Sequence, residues 1–209
     1  MEHGQSEGYA RAVDFGFTEA VVPSGTHVCH IYDDNEERTD AFVRFLLKGL
    51  ELRELSAGFS DALCESDFSA HLADGQSLRR LRLKPTAETY FPDNRFDPDG
   101  MLRSLAALYD RSRDEGFTGT RVIGEMAPEI ETMEGADRLL EYESRVNLLL
   151  GDRAMTVMCR YDTSAFSGAK LMDVLKSHPL MVVRGSIIHN PFYLSPEIVL
   201  GEHKTGRPY

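Results

Sequence analysis

The sequence predicts an α/β domain in which a mostly parallel sheet carries helices on both faces. Three observations lead there. From Gly25 onward, short strand-like apolar runs alternate with amphipathic helical stretches. No internal repeat or low-complexity linker interrupts them. The 209 residues, 42% of them hydrophobic, suit a single core of ordinary globular composition.

The elements follow in order. Residues 1–20 are polar and read as a loose or partly docked N-terminal tail, residues 21–200 as the domain, and 201–209 as a C-terminal tail. His27–Tyr32 is the first core strand. Asn35–Glu51 reads as a helix with Phe42, Phe45, Leu46 and Leu50 on one face, opened by Asp34 and Glu37 in a capping-box spacing. Leu55–Phe59 is a second strand, 67–73 a short helix, and 78–83 an edge strand. The basic residues of the 79–84 stretch (Arg79, Arg80, Arg82, Lys84) deter unwanted pairing there. Residues 91–94 mark a turn. A helix over 98–115 stops near Gly116, and strand 120–126, helix 133–150 and strand 154–161 follow. Helix 164–176 closes at His178-Pro179, and 180–189 reads as one long final strand.

Composition removes several classes of function. The net charge of −11 argues against direct nucleic-acid binding, which needs clustered Lys and Arg. The longest apolar runs, such as Leu180-Met181-Val182-Val183, are too short to span a bilayer. The N-terminus has no basic-then-apolar export signal, so a cytoplasmic protein is expected. The three cysteines, Cys29, Cys64 and Cys159, form no CxxC and read as thiols.

Four segments together carry a family resemblance: Gly25-Thr26-His27-Val28-Cys29-His30-Ile31-Tyr32; Arg121-Val122-Ile123-Gly124-Glu125-Met126; Tyr142-Glu143 with Asn147; and Cys159-Arg160-Tyr161-Asp162 followed by His178-Pro179 and Asn190-Pro191. Their order and spacing resemble the MEDS domain, the sensory domain of methanogen and methylotroph regulators. The resemblance runs from about residue 20 to 200. It implies a RecA-like three-layer domain, related to KaiC, without a working ATPase site, and a signal-input role in regulation. The chain departs from the family pattern over 51–67, where Leu52-Arg53-Glu54-Leu55-Ser56 replaces a glycine-led entry into the second strand. No DNA-binding or kinase segment is attached, so output is expected to pass through a protein partner.

The residues bear on chemistry in four places. A phosphate loop needs glycines, a Lys, and Ser or Thr. After Tyr32 the chain instead supplies Asp33-Asp34-Asn35-Glu36-Glu37-Arg38, whose carboxylates repel a triphosphate, so no enzyme is expected. Alternation puts His27 and Cys29 on one strand face and His30 on the other. With Cys159 and His178, the pair His27 and Cys29 forms a candidate zinc-type or thiol-redox set, against the ordinary alternative of buried packing and helix capping. Glu143 and Asn147 share the inward stripe of their helix with Leu139, Leu140, Val146 and Leu150. A buried Glu143 needs a partner, for which Arg121 is the candidate, with Glu125 as a second acid. These residues read either as an internal ion pair or as a ligand site at the carboxyl edge of the sheet: Tyr32, Asp33, Arg121, Glu125, Glu143, Asn147 and Tyr161. Tyr90 and Phe91 are further aromatic candidates for its wall. No specific cofactor is implied. A non-catalytic sensory domain leads, with a metal or redox protein, a relic nucleotide-binding protein and a homodimer formed through an edge strand as alternatives.

Overall fold

A computed structural model of the chain describes residues 11–205 apart from 34, 70, 72–78, 92 and 152. The expected Asp34 cap, and the parts of the 67–73 and 78–83 elements that fall on those positions, lie outside the described residues. The elements are β1 (Ala12–Asp14), β2 (Val21–Pro23), β3 (His27–Tyr32), α1 (Asn35–Glu51), β4 (Leu55–Phe59), α2 (Glu65–Ser69) and β5 (Leu81–Lys84). They continue with α3 (Thr86–Tyr90), α4 (Pro98–Asp114), β6 (Thr120–Glu125), α5 (Leu139–Leu150), β7 (Met155–Asp162) and α6 (Gly168–Ser177). β8 (Leu180–Val183), β9 (Ser186–His189) and α7 (Pro196–Thr205) complete the chain.

Seven strands make one sheet in the order β5-β4-β6-β7-β3-β8-β9. Every neighbouring pair is parallel except β8–β9. After β3 the chain builds outward, returns through β6 and β7, and then crosses to the other side of β3 as β8. The direction of winding therefore switches at β3, the position where open α/β sheets leave a crevice beyond the strand ends.

Parallel strands buried on both faces must present apolar residues in both directions. β3, β6 and β7 do so, and alternation assigns each side chain to one of two layers. Val28, Ile123 and Met158 meet Phe42, Phe45, Leu46 and Leu50 of α1. Val122, Val157, Cys29 and Cys159 face the layer of α4, α5 and α6, with Met101, Leu105, Val146 and Val174. Gly49 lets α1 lie close to the sheet, since a Cβ there would stand 2.4 Å from Ser56 Oγ and 2.9 Å from Arg121 Cδ.

Under Gly49, Arg121 is fully buried on the α1 face. Its Nε donates to Glu54 Oε2 at 2.6 Å, and its Nη1 donates to the carbonyls of Asp14 and Phe45, each at 2.9 Å. Arg11 reaches the other Glu54 oxygen at 2.9 Å. Glu54 comes from the segment that departs from the family pattern, and β4 forms directly after it.

The structure differs from the sequence reading in several places. Residues 180–189 are a hairpin rather than one strand. Arg184 (φ 47°) and Gly185 (φ 71°) supply the two left-handed residues of a tight turn. β9 thus ends the sheet as an antiparallel edge. Of the N-terminal segment, read as loose or partly docked, residues 11–20 are described, and there β1 pairs with β2 and Phe15 is fully buried. The 133–150 helix becomes regular only at Leu139, after a short 3-10 turn over Ala136–Arg138. The 164–176 helix starts at Gly168, because Ser167 caps it by accepting from Lys170 N at 3.3 Å. α7 carries helical structure to Thr205, beyond the expected boundary at 200.

Glu54→Ala leaves the Arg121 guanidinium buried without its counter-charge, and is expected to lower stability by about 3–5 kcal/mol in urea titration. An unchanged midpoint would show that Arg121 is held by its carbonyl acceptors alone.

Candidate functional site

Polar side chains enter both layers beside β3 and β7, and the sheet keeps them apart. On the α1 face, at the carboxyl ends of the strands, Glu125 is the hub. Arg38 of α1 donates through Nη2 to Glu125 Oε2 at 3.1 Å, and Ser60, just past β4, donates its hydroxyl to the same oxygen. Tyr32 OH stands 3.5 Å from Oε1, and Arg160 Nη1 stands 3.8 Å from it. Arg160 is fully buried, and its Nη2 donates to the Arg38 carbonyl at 2.7 Å. Its guanidinium lies over the Tyr32 ring at 4.8 Å and the Phe42 ring at 5.4 Å.

Burial dominates the electrostatics of this edge. It lowers the Arg160 pKa to about 10, with Glu125 opposing the shift. It raises Tyr32 to about 12, helped by Glu125. His30, almost fully buried beside them, is lowered to about 3, first by burial and then by the Arg160 charge. Neither His30 nitrogen, nor Nε or Nη1 of Arg160, has a hydrogen-bond partner among the described residues. Glu37 Oε1 lies 3.9 Å from His30 Nε2 and also accepts the Gly185 N–H of the β8–β9 turn at 3.2 Å.

The opposite face holds a second group. Glu143 of α5 is fully buried, and Tyr161 OH donates to its Oε1. Its Oε2 lies 3.3 Å from His27 Nε2 and 3.6 Å from His178 Nε2. Cys159 Sγ lies 3.3 Å from His27 Nε2. Asn147 bridges α5 to α6, donating to the carbonyls of Glu143 (3.2 Å) and Ser177 (2.7 Å). Burial raises the Glu143 pKa, with His178 opposing, and pushes the Cys159 thiol well up. His27 and His178 are each lowered to about 3 by the same desolvation.

The residues expected at one ligand site are thus divided. Tyr32 and Glu125 meet on the α1 face, and exposed Asp33 follows Tyr32. Arg121 shares that face but sits at the far end of β6 with Glu54, so it is not the partner of Glu143. Glu143, Asn147 and Tyr161 lie across the sheet, because 121 and 125 alternate with the strand positions that face α5. Tyr90 and Phe91 are core residues, with the Tyr90 hydroxyl packed over Gly124. Of the candidate metal set, His27, Cys159 and His178 converge. Cys29 pairs with Cys159 in the strand register but stays outside the converging group, where Glu143 stands instead. Sequence reasoning missed Arg38, Ser60 and Arg160 as partners of Glu125, and His30 as a buried neighbour of Arg160. The available signal was a charged residue, Arg160, at a buried position of an otherwise apolar strand. A separate cleft of about 280 Å³ lies by the β5 edge, with Phe59, Met101 and Leu105 beneath Arg82, Lys84 and Arg111.

The switch-point sheet and its two layers give a RecA/KaiC-like fold. A KaiC-like protein from Pyrococcus horikoshii superposes with a TM-score of 0.55 at 15% identity, covering 82% of this chain and 79% of that one. The flagellar accessory protein FlaH from Methanocaldococcus jannaschii gives 0.56 at 11% identity, covering 85% and 84%. By sequence the chain belongs to the MEDS family, the methanogen/methylotroph, DcmR sensory domain, which it matches over residues 26–179. It is also similar to the transcriptional repressor DcmR of Methylorubrum extorquens, 26% identical over 73% of this chain and 57% of that protein. The chain therefore corresponds to a little over half of the repressor's length.

Because the His30 pKa is low in the fold, the unfolded chain takes up its proton first as pH falls below about 6.5. Stability from a neutral His30 is present above that value and is lost as pH falls toward 3. Urea midpoints measured from pH 7 to 4 should show a slope that His30→Gln reduces by up to about 1.4 kcal/mol per pH unit. Parallel curves for the two proteins would assign the slope to other groups.

Proposed function

We propose that this chain is a non-catalytic sensory domain that binds a small ligand at the carboxyl edge of its sheet and signals through a protein partner. Membership of a sensory-domain family places it in regulation. One observation supports a ligand at this edge. Buried Arg160 keeps Nε and Nη1 without hydrogen-bond partners among the described residues, beside a His30 in the same condition. Unused buried donors are costly, and a ligand bearing acceptor atoms such as a carboxylate would satisfy them. Entry would draw Arg38 away from Glu125 and shift the start of α1.

Catalysis of nucleotide hydrolysis is not part of this reading. The turn after β3 brings carboxylates instead of the glycine N–H groups and lysine that cradle phosphates. A regulatory output accords with the similarity to a transcriptional repressor. The β9 edge, with Ile188 and neighbouring Phe192 exposed, offers an open strand for such contact.

Isothermal titration against a panel of small carboxylates and neutral metabolites tests the proposal. A binder is expected among the acceptor-bearing compounds, and Arg160→Lys, which keeps the charge but removes the unused donors, should weaken it at least tenfold, about 1.4 kcal/mol. Arg82→Ser, at the separate cleft, should leave binding unchanged. A panel without binders, or a binder lost through Arg82→Ser alone, would defeat the assignment of this edge.

A further inference from the structure

We propose that His27, Glu143, Cys159 and His178 form a buried binding site for a divalent transition-metal ion, with zinc as the best match. One donor atom from each lies within 4.8 Å of the other three. Tetrahedral zinc, with bonds of about 2.0–2.3 Å to nitrogen, oxygen and sulfur, sets neighbouring donors roughly 3.3–3.6 Å apart. The contacts of Glu143 Oε2 with His27 (3.3 Å) and His178 (3.6 Å), and of His27 with Cys159 (3.3 Å), fall in that range.

The protons around the group point the same way. His178 Nδ1 contacts the Val174 carbonyl at 2.8 Å, and a carbonyl only accepts, so Nδ1 carries the ring proton. Nε2 is then a lone pair facing Glu143 Oε2, and both atoms are buried without a hydrogen-bond partner among the described residues. Two acceptors held face to face in a dry core need a cation, or a proton on the acid, between them. The outer contacts match those that orient metal ligands. The Val174 carbonyl fixes the His178 tautomer, and the Tyr161 hydroxyl holds Oε1 of Glu143 so that Oε2 is left to bind.

Two imidazoles, a thiolate and a carboxylate suit borderline-soft zinc better than magnesium or calcium. Binding replaces the protons of the Cys159 thiol and the Glu143 carboxyl, which pass to solvent, so affinity rises with pH. Four protein donors and full burial leave no open position. The ion would tie β3 and β7 to α5 and to the end of α6, independently of any ligand at the opposite face.

Protein purified without a histidine tag and refolded with one equivalent of zinc should retain one zinc per chain by native mass spectrometry and melt higher than the chelator-treated protein. Cobalt(II) in its place should give the intense visible bands of a tetrahedral site and a thiolate-to-cobalt charge-transfer band. Cys159→Ser should remove that charge-transfer band, while Cys29→Ser keeps it. Folded wild-type protein that retains no zinc and shows only the weak spectrum of aqueous cobalt would overturn the site. Survival of the thiolate band in Cys159→Ser would do so too. If Cys159→Ser fails to fold, the wild-type cobalt spectrum still decides.

Discussion

Everything in this fold depends on the double burial of its central parallel strands. β3 and β7 have helices on both faces, so neither offers its polar side chains an outlet to water. Each such side chain must find its partner within one layer. Arg160 and His30 are committed to the α1 layer, and His27, Cys159 and Tyr161 to the α5–α6 layer. The sheet separates two polar groups that a linear reading treats as one. Each group is desolvated enough to move the titration of its members strongly, in the direction that removes charge from histidine and keeps the protons on thiol and phenol.

The sequence carried the architecture because strand–helix alternation is a local signal. β3, α1 and β4 lie where their periodicity places them, even across the segment that departs from the family pattern. The 180–189 run illustrates the limit. Leu180–Val183 and Ser186–His189 are both strand-like, and Arg184-Gly185 between them is a weak turn signal, since only Gly ordinarily favours a left-handed backbone. Pairings across the fold were less legible still. That Glu143 needs a partner follows from its place in an apolar stripe. That the partners are His27, His178 and Tyr161 rather than Arg121 depends on strand phase, which assigns 121 and 143 to opposite layers.

The carboxyl edge of this RecA-like frame is closed by charged side chains. The switch-point crevice is crossed by Arg38 of α1 and Arg160 of β7, both facing the one carboxylate of Glu125 on β6. An edge closed by ion pairs is held by forces that a polar solute competes with directly, whereas an apolar plug would respond chiefly to apolar solutes. A solute bound there would lose affinity by the cost of breaking those pairs, and its occupancy would be coupled to a change of shape.

Glu37 extends that coupling beyond the crevice. One of its oxygens faces His30 in the interior and also holds the N–H at the tip of the β8–β9 hairpin. In mechanical terms it is a tether, running from the first turn of a helix to the outermost ribbon of the sheet. A helix that shifts by an ångström at this end must either drag the ribbon with it or let it go, and both alternatives change the backbone edge that the molecule presents to its surroundings.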